Sequence, residues 1–176
     1  MNYRKAFDNM HPRFFDSPYI KTIPEDSVYA ELIMDLRSFT PAPLSFSIPE
    51  YITFGLYNGS MVDLKKTVSR VDEEWSQFFC DNSRAFCAFD GDKVVSFCIL
   101  EDWGRQDGLM IGGPGCVGTI PEYRKKGIGL EMVRRATMLL KEENFDISWI
   151  HYTHLRHWYE KLGYRTILEW NSKGFL

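Results

Sequence analysis

The chain has 176 residues, 44% hydrophobic and 26% charged, with 21 Lys and Arg against 24 Asp and Glu for a net charge of −3. Such a length fits one domain that buries about 70% of its unfolded surface without staples, and the composition excludes a disordered chain. The slight acidity argues against a general nucleic-acid binder, and apolar runs such as Phe97 to Leu100 are far below the roughly 20 residues of a membrane span.

A single domain over residues 1–176 is therefore expected. The stretch from Met1 to Phe15 is charged early and holds no apolar run, so it does not read as a secretion signal, and the cytoplasm is the expected compartment. Cys80, Cys87, Cys98 and Cys116 form no C-x-x-C pair and have mostly apolar neighbours. They read as free buried thiols rather than a zinc or redox motif.

In chain order, Tyr19 to Ile23 reads as a short strand. Pro24-Glu25-Asp26 then opens a helix capped by Asp26 or Ser27, with Tyr29, Leu32, Ile33 and Leu36 at the i, i+3, i+4, i+7 spacing of a buried face. Phe39 to Tyr57 is aromatic, carries Pro41, Pro43 and Pro49, and reads as an irregular loop. A second helix is predicted from about Met61 to Phe79, with Met61, Leu64, Val68, Val71, Trp75 and Phe78 on one face and Ser60 with Asp63 as a capping box. That stripe reads as packing on a sheet rather than as a partner-binding face.

The period then changes. Ala85 to Phe89 and Val94 to Glu101 read as strands joined by a tight turn at Asp90-Gly91-Asp92. Leu109 to Ile120 is a strand disturbed by Gly112, Gly113, Gly115 and Gly118. A helix runs from about Gly127 to Glu142, Phe145, Ile147 and Trp149 mark a strand, His154 to Lys161 is a short helix closed by Gly163, and Tyr164 to Trp170 is a last strand. This order predicts an α/β protein with a mixed sheet.

The most informative stretch is Thr119 to Gly129, where a strand ends, a turn begins at Pro121, and Arg124, Lys125 and Lys126 lead into Gly127 and Gly129 at a helix start. The first N–H groups of a helix lack internal partners and carry partial positive charge, so such an end takes anions. Glycines there let a bulky phosphate approach the backbone. The pattern predicts a site for a phosphate or pyrophosphate. A dinucleotide fingerprint is excluded because position 132 is Met, and a P-loop because Thr119 stands where its Lys belongs.

Pro121-x-x-Arg124-x-x-Gly127-x-Gly129 after a strand resembles the acyl-CoA-binding signature of the GNAT N-acetyltransferase superfamily. Trp158-Tyr159-Glu160-Lys161-Leu162-Gly163-Tyr164 resembles the same family's second segment, and the likeness is strongest from Gly113 to Arg165. The resemblance implies a mixed, mostly antiparallel central sheet flanked by helices, with acetyl-CoA as co-substrate. Backbone groups of Thr119 and Ile120 would meet the pantetheine arm. The N–H groups of Lys125, Lys126, Gly127, Ile128, Gly129 and Leu130 would hold the pyrophosphate, with Arg124 in support. Tyr159 takes the position of the family's general acid. A thiol near ~8.5 and a phenol near ~10 make that proton transfer cheap.

The chain also departs from the family. An Asn common before the second helix has no counterpart, and Tyr152 or a neighbour occupies that region. Leu109 to Ile120 carries no acidic residue, so the base frequent on that strand is missing. Glu101, with Asp102 beside it, and His151 are the candidates to deprotonate the amine. Histidine's ordinary pKa near ~6.5 suits the task. His151, His154 and His157 do not converge as metal ligands, and no metal is expected.

The implied activity is transfer of the acetyl group of acetyl-CoA to a primary amine of a small molecule, by direct attack in a ternary complex. Phe46, Tyr51 and Phe54 are candidates for an acceptor wall. No nucleic-acid or membrane partner is expected, and a homodimer stays open. The competing class is a non-catalytic acyl-CoA-binding module on the same fold.

Overall fold

The computed structural model describes residues 1–40, 44–45 and 47–176. Eight strands hydrogen-bond in one sheet. In chain order they are β1 (Tyr29–Asp35), β2 (Ile52–Leu56), β3 (Ala85–Asp90), β4 (Lys93–Gln106), β5 (Leu109–Thr119), β6 (Ile147–Thr153), β7 (Arg165–Asn171) and β8 (Gly174–Phe175). Their order across the sheet is β2-β3-β4-β5-β6-β1-β7-β8. β5 and β6 run parallel; β1–β6, β1–β7, β2–β3, β3–β4 and β7–β8 run antiparallel. The α/β architecture with a mostly antiparallel mixed sheet is thus as expected. The β5–β6 register covers only Ile111 with Ile147 and Gly112 with Ser148.

The chain divides into two compact units. The first comprises residues 1–39, 103–112 and 144–176. It holds α1 (Tyr3–Met10), α2 (Pro18–Lys21), β1, β6, a short helix α5 (Arg156–Glu160), β7 and β8. Its core gathers Phe7, Ile33, Ile111, Ile147 and Trp149, with Ile20, Ile23 and Trp170 in a second cluster. The second unit comprises residues 40–102 and 113–143. It holds β2, α3 (Met61–Ser69), β3, most of β4, the later part of β5 and α4 (Ile128–Glu142). Leu64, Val68, Phe79, Cys87, Val94, Phe97 and Ile99 form its core.

Five expectations need correction. The helix read from Asp26 is the strand β1, and the strand read at Tyr19–Ile23 is the helical turn α2. β1 lies between β6 and β7, and Ala30 to Met34 are all buried. A strand covered on both faces is a continuous apolar run, which contains helix-like spacing by accident. The loop read from Phe39 to Tyr57 holds β2, paired from Ile52–Asp90 to Leu56–Phe86; Pro41, Pro43 and Phe46 lie outside the described residues.

The helix read to Phe79 stops at Ser69. Asp72 Oδ1 accepts the Glu74 N–H at 2.9 Å, and a 3-10 turn spans Glu74–Phe78. Such side-chain-to-backbone bonds compete with helix continuation. Val71 and Trp75 still reach the same cluster as Leu64, which is why the apolar stripe outran the helix. Ser60 caps α3 with no side-chain bond, so the capping box is not formed.

Candidate functional site

β5 ends at Thr119 and the chain is pinned at once. The Ile120 N–H donates to the Val95 carbonyl at 3.0 Å, and Thr119 Oγ1 lies 2.9 Å from Ser96 Oγ. A 3-10 turn over Pro121–Tyr123 follows. Arg124 is extended, Lys125 is left-handed at φ 60°, and Gly127 is left-handed at φ 74°. Glycine is the residue that takes that conformation without a Cβ penalty, and it stands at the N-cap of α4.

This geometry leaves the start of α4 open. The Glu131 N–H is the first to close on Gly127, at 3.0 Å, and Gly127 has no side chain to cap with. The N–H groups of Ile128, Gly129 and Leu130 therefore have no helical acceptor. Buried Ile128 and Leu130 side chains fix the helix start against the core. Arg124, Lys125 and Lys126 are exposed around it. Arg124 Nε donates to the Thr119 carbonyl at 2.9 Å, which holds the guanidinium against the strand end. Lys126 Nζ and Lys93 Nζ each lie 5.0 Å from the Tyr123 ring centroid, and the Tyr123 hydroxyl donates to Asp90 at 2.5 Å. The predicted cationic turn and uncapped helix end are thus together in one unit. The Ile120 N–H differs from expectation in being committed to Val95.

Glu101 lies on β4 beside the glycines of β5. A Cβ on Gly115 would stand 3.2 Å from Glu101 Cγ and 3.4 Å from Oε1. The side chain of Glu101 therefore occupies the space that Gly115 leaves on its own strand, so a carboxylate reaches β5 from the neighbour. Cys116, left-handed at φ 47°, interrupts β5 next to it. Burial, with Glu101 and Asp72 adding, pushes the Cys116 thiol up to about 12. It is an inert thiol.

In the first unit, Tyr159 sits on α5 with 6% of its surface exposed. Its ring meets Trp158 edge-on at 4.8 Å and Tyr164 at 6.0 Å, and the Tyr164 hydroxyl pairs with Ser148 Oγ at 2.7 Å. His151 lies on β6, where Nδ1 is 3.0 Å from the carboxylate of Glu31. Ser148 and Trp149 are successive strand residues and point to opposite faces. Ser148 pairs with Tyr164 beside Tyr159, while Trp149 donates to Glu31 at 2.7 Å together with His151. Tyr159 and His151 thus belong to opposite faces of β6.

The three histidines of the sequence series go separate ways. His157 pairs with Glu160 at 2.7 Å, and His154 meets Tyr29 edge-on at 6.1 Å. Of the aromatic stretch, Tyr51 is 56% exposed, and Phe54 lies under the guanidinium of Arg135 at 4.7 Å. Sequence reasoning missed Glu31 and His11. The available signal was a lone Glu within the apolar run Tyr29 to Met34, which in a buried strand requires partners.

Residues 81–166 match the model of a family described as an acetyltransferase (GNAT) domain. No curated protein matches the chain. Three solved structures share the fold. One is a fungal multi-domain GH3 β-N-acetylglucosaminidase with a GCN5-related glucosamine N-acetyltransferase region. It is 22% identical at TM-score 0.67, over 82% of this chain and 20% of that one. A GCN5-related N-acetyltransferase from Sphaerobacter thermophilus is 13% identical at TM-score 0.61, over 84% and 50%. One from Kribbella flavida is 17% identical at TM-score 0.57, over 82% and 56%. This chain spans between a fifth and somewhat over half of their lengths, and at such identities the likeness concerns the fold alone.

Proposed function

We propose that this chain, whose residues 81–166 match the model of an acetyltransferase (GNAT) domain, transfers the acetyl group of acetyl-CoA to a primary amine of a small molecule. The observation that carries the reading is the start of α4, where a left-handed glycine N-cap leaves three N–H groups open among exposed Arg124, Lys125 and Lys126. A diphosphate accepts from those donors, and the cations draw it in.

The chemistry needs two proton transfers besides bond exchange. The amine nitrogen attacks the thioester carbonyl, the C–N bond forms and the C–S bond breaks, with no covalent enzyme intermediate. Tyr159 is the acid for the departing sulfur, and Glu101 and His151 are the groups available to the amine. The reaction runs in the cytoplasm, in keeping with four free cysteines. No helix among the described residues is long and apolar enough to cross a membrane.

The test is release of free thiol from acetyl-CoA with a panel of primary amines. Glucosamine comes first, because the fungal region of similar fold is a glucosamine N-acetyltransferase. Turnover on at least one amine is expected, and Tyr159→Phe should lower kcat by ~10²–10⁴ while leaving CoA binding intact. CoA binding without turnover on any amine would favour a non-catalytic acyl-CoA module instead.

A further inference from the structure

Glu31 is fully buried in β1, and a buried carboxylate costs several kcal/mol unless it is paired. Its oxygens accept from Trp149 Nε1 at 2.7 Å, Trp170 Nε1 at 2.8 Å, the Tyr152 N–H at 3.1 Å and His151 Nδ1 at 3.0 Å. Burial pushes this carboxyl up, but His151 and the indole donors outweigh it and hold it below the usual carboxylate range. Two indoles and an amide fix the carboxylate in place. Only the imidazole leads outward: the His151 side chain keeps 22% of its surface exposed against none for Glu31.

A carboxylate on Nδ1 places the ring proton there and leaves the Nε2 lone pair facing away. The ring is held on its faces as well. His11 stacks on it at 3.8 Å with 11° between planes, and Phe14 meets it edge-on at 5.2 Å. Burial above all holds His11 down to about 4. The stacked neighbour is therefore neutral at pH 7 and adds no rival charge.

Resting on the acetyl-transfer reading above, we propose that Glu31 and His151 form a carboxylate–imidazole dyad in which Nε2 of His151 deprotonates the acceptor amine and Glu31 is the positioning residue. The protons balance. An ammonium brings three and the amide keeps one. His151 takes one and passes it to water; the other replaces the phenol proton that Tyr159 gives to the sulfur. Glu101 then shapes β5 over Gly115 and takes no proton.

One arm of the test needs no acceptor. ¹⁵N NMR of the histidine rings in the full chain should show neutral His151 protonated at Nδ1, shifting toward Nε2–H in Glu31→Gln. An Nε2–H ring in wild type overturns the dyad. The second arm follows thiol release with acetyl-CoA and the best amine of the panel. His151→Asn should lower kcat by ~10²–10⁴, keep KM for acetyl-CoA within about twofold, and regain rate on added imidazole. A wild-type rate in His151→Asn overturns the base role while acetyl transfer stands. If wild type turns over no amine, the acetyl-transfer reading fails and takes the base role with it, whichever tautomer the ring shows.

Discussion

Acid should destabilise this fold through one identifiable side chain. His11 Nε2 is buried with no hydrogen-bond partner among the described residues, and the ring is held neutral down to about 4 against an ordinary 6.5. The sign follows from proton counting. Above pH 6.5 His11 is neutral in both states and its burial involves no proton. Below 6.5 the unfolded ring binds a proton that the folded ring refuses, so stability falls until pH reaches about 4. Each pH unit crossed costs about 1.4 kcal/mol, which brings the loss to about 3 kcal/mol. In a chain of this size that is roughly 10 °C in Tm. Glu31 acts in the same direction but lower, since its stabilisation is lost only as pH falls through its depressed folded value.

The assay is urea unfolding of wild type and His11→Phe at pH 7, 6, 5 and 4. The phenyl ring can stack on His151 and does not titrate, while the carboxylates that do not interact with His11 are common to both proteins and cancel in the difference. The difference in stability should move in favour of His11→Phe by about 3 kcal/mol between pH 7 and 4. A difference that stays flat within about 0.5 kcal/mol would refute the reasoning.

Other outcomes follow from the same structure. Gly118→Ala would put a Cβ 2.4 Å from Phe97 Cζ in the buried core, so the ring must move; a loss of about 1–3 kcal/mol in urea unfolding is expected. Trp149→Phe removes a donor from the buried Glu31 carboxylate and should cost about 1–3 kcal/mol by the same measurement.

The parts of the fold that local chemistry dictates were legible. The turn at Asp90-Gly91-Asp92 closes β3 on β4 with Asp90 opposite Lys93. The glycine-basic turn ends β5 and starts α4 within one residue of the reading. The misreadings of β1 and β2 share a cause, because both strands are decided by distant partners, whereas the break after Ser69 turns on the local bond from the Glu74 N–H to Asp72. β1 looked helical since its residues are buried on both faces and its edges pair with β6 and β7, far away in sequence, which periodicity cannot see. The candidate site divides the same way. The anion cradle is local and could be read. The Glu31–His151–His11 assembly joins the N-terminal segment to β6, and nothing in local spacing announces it.

The most direct measurement is isothermal titration of the purified chain with CoA, beside Gly127→Asp. Asp would place a carboxylate where the diphosphate accepts, on a residue that tolerates the left-handed backbone better than most. Wild type should bind CoA, and the variant should lose that binding while keeping its far-UV spectrum. An absence of heat in wild type, or equal affinity in Gly127→Asp, would contradict the assignment of the α4 terminus as the diphosphate site.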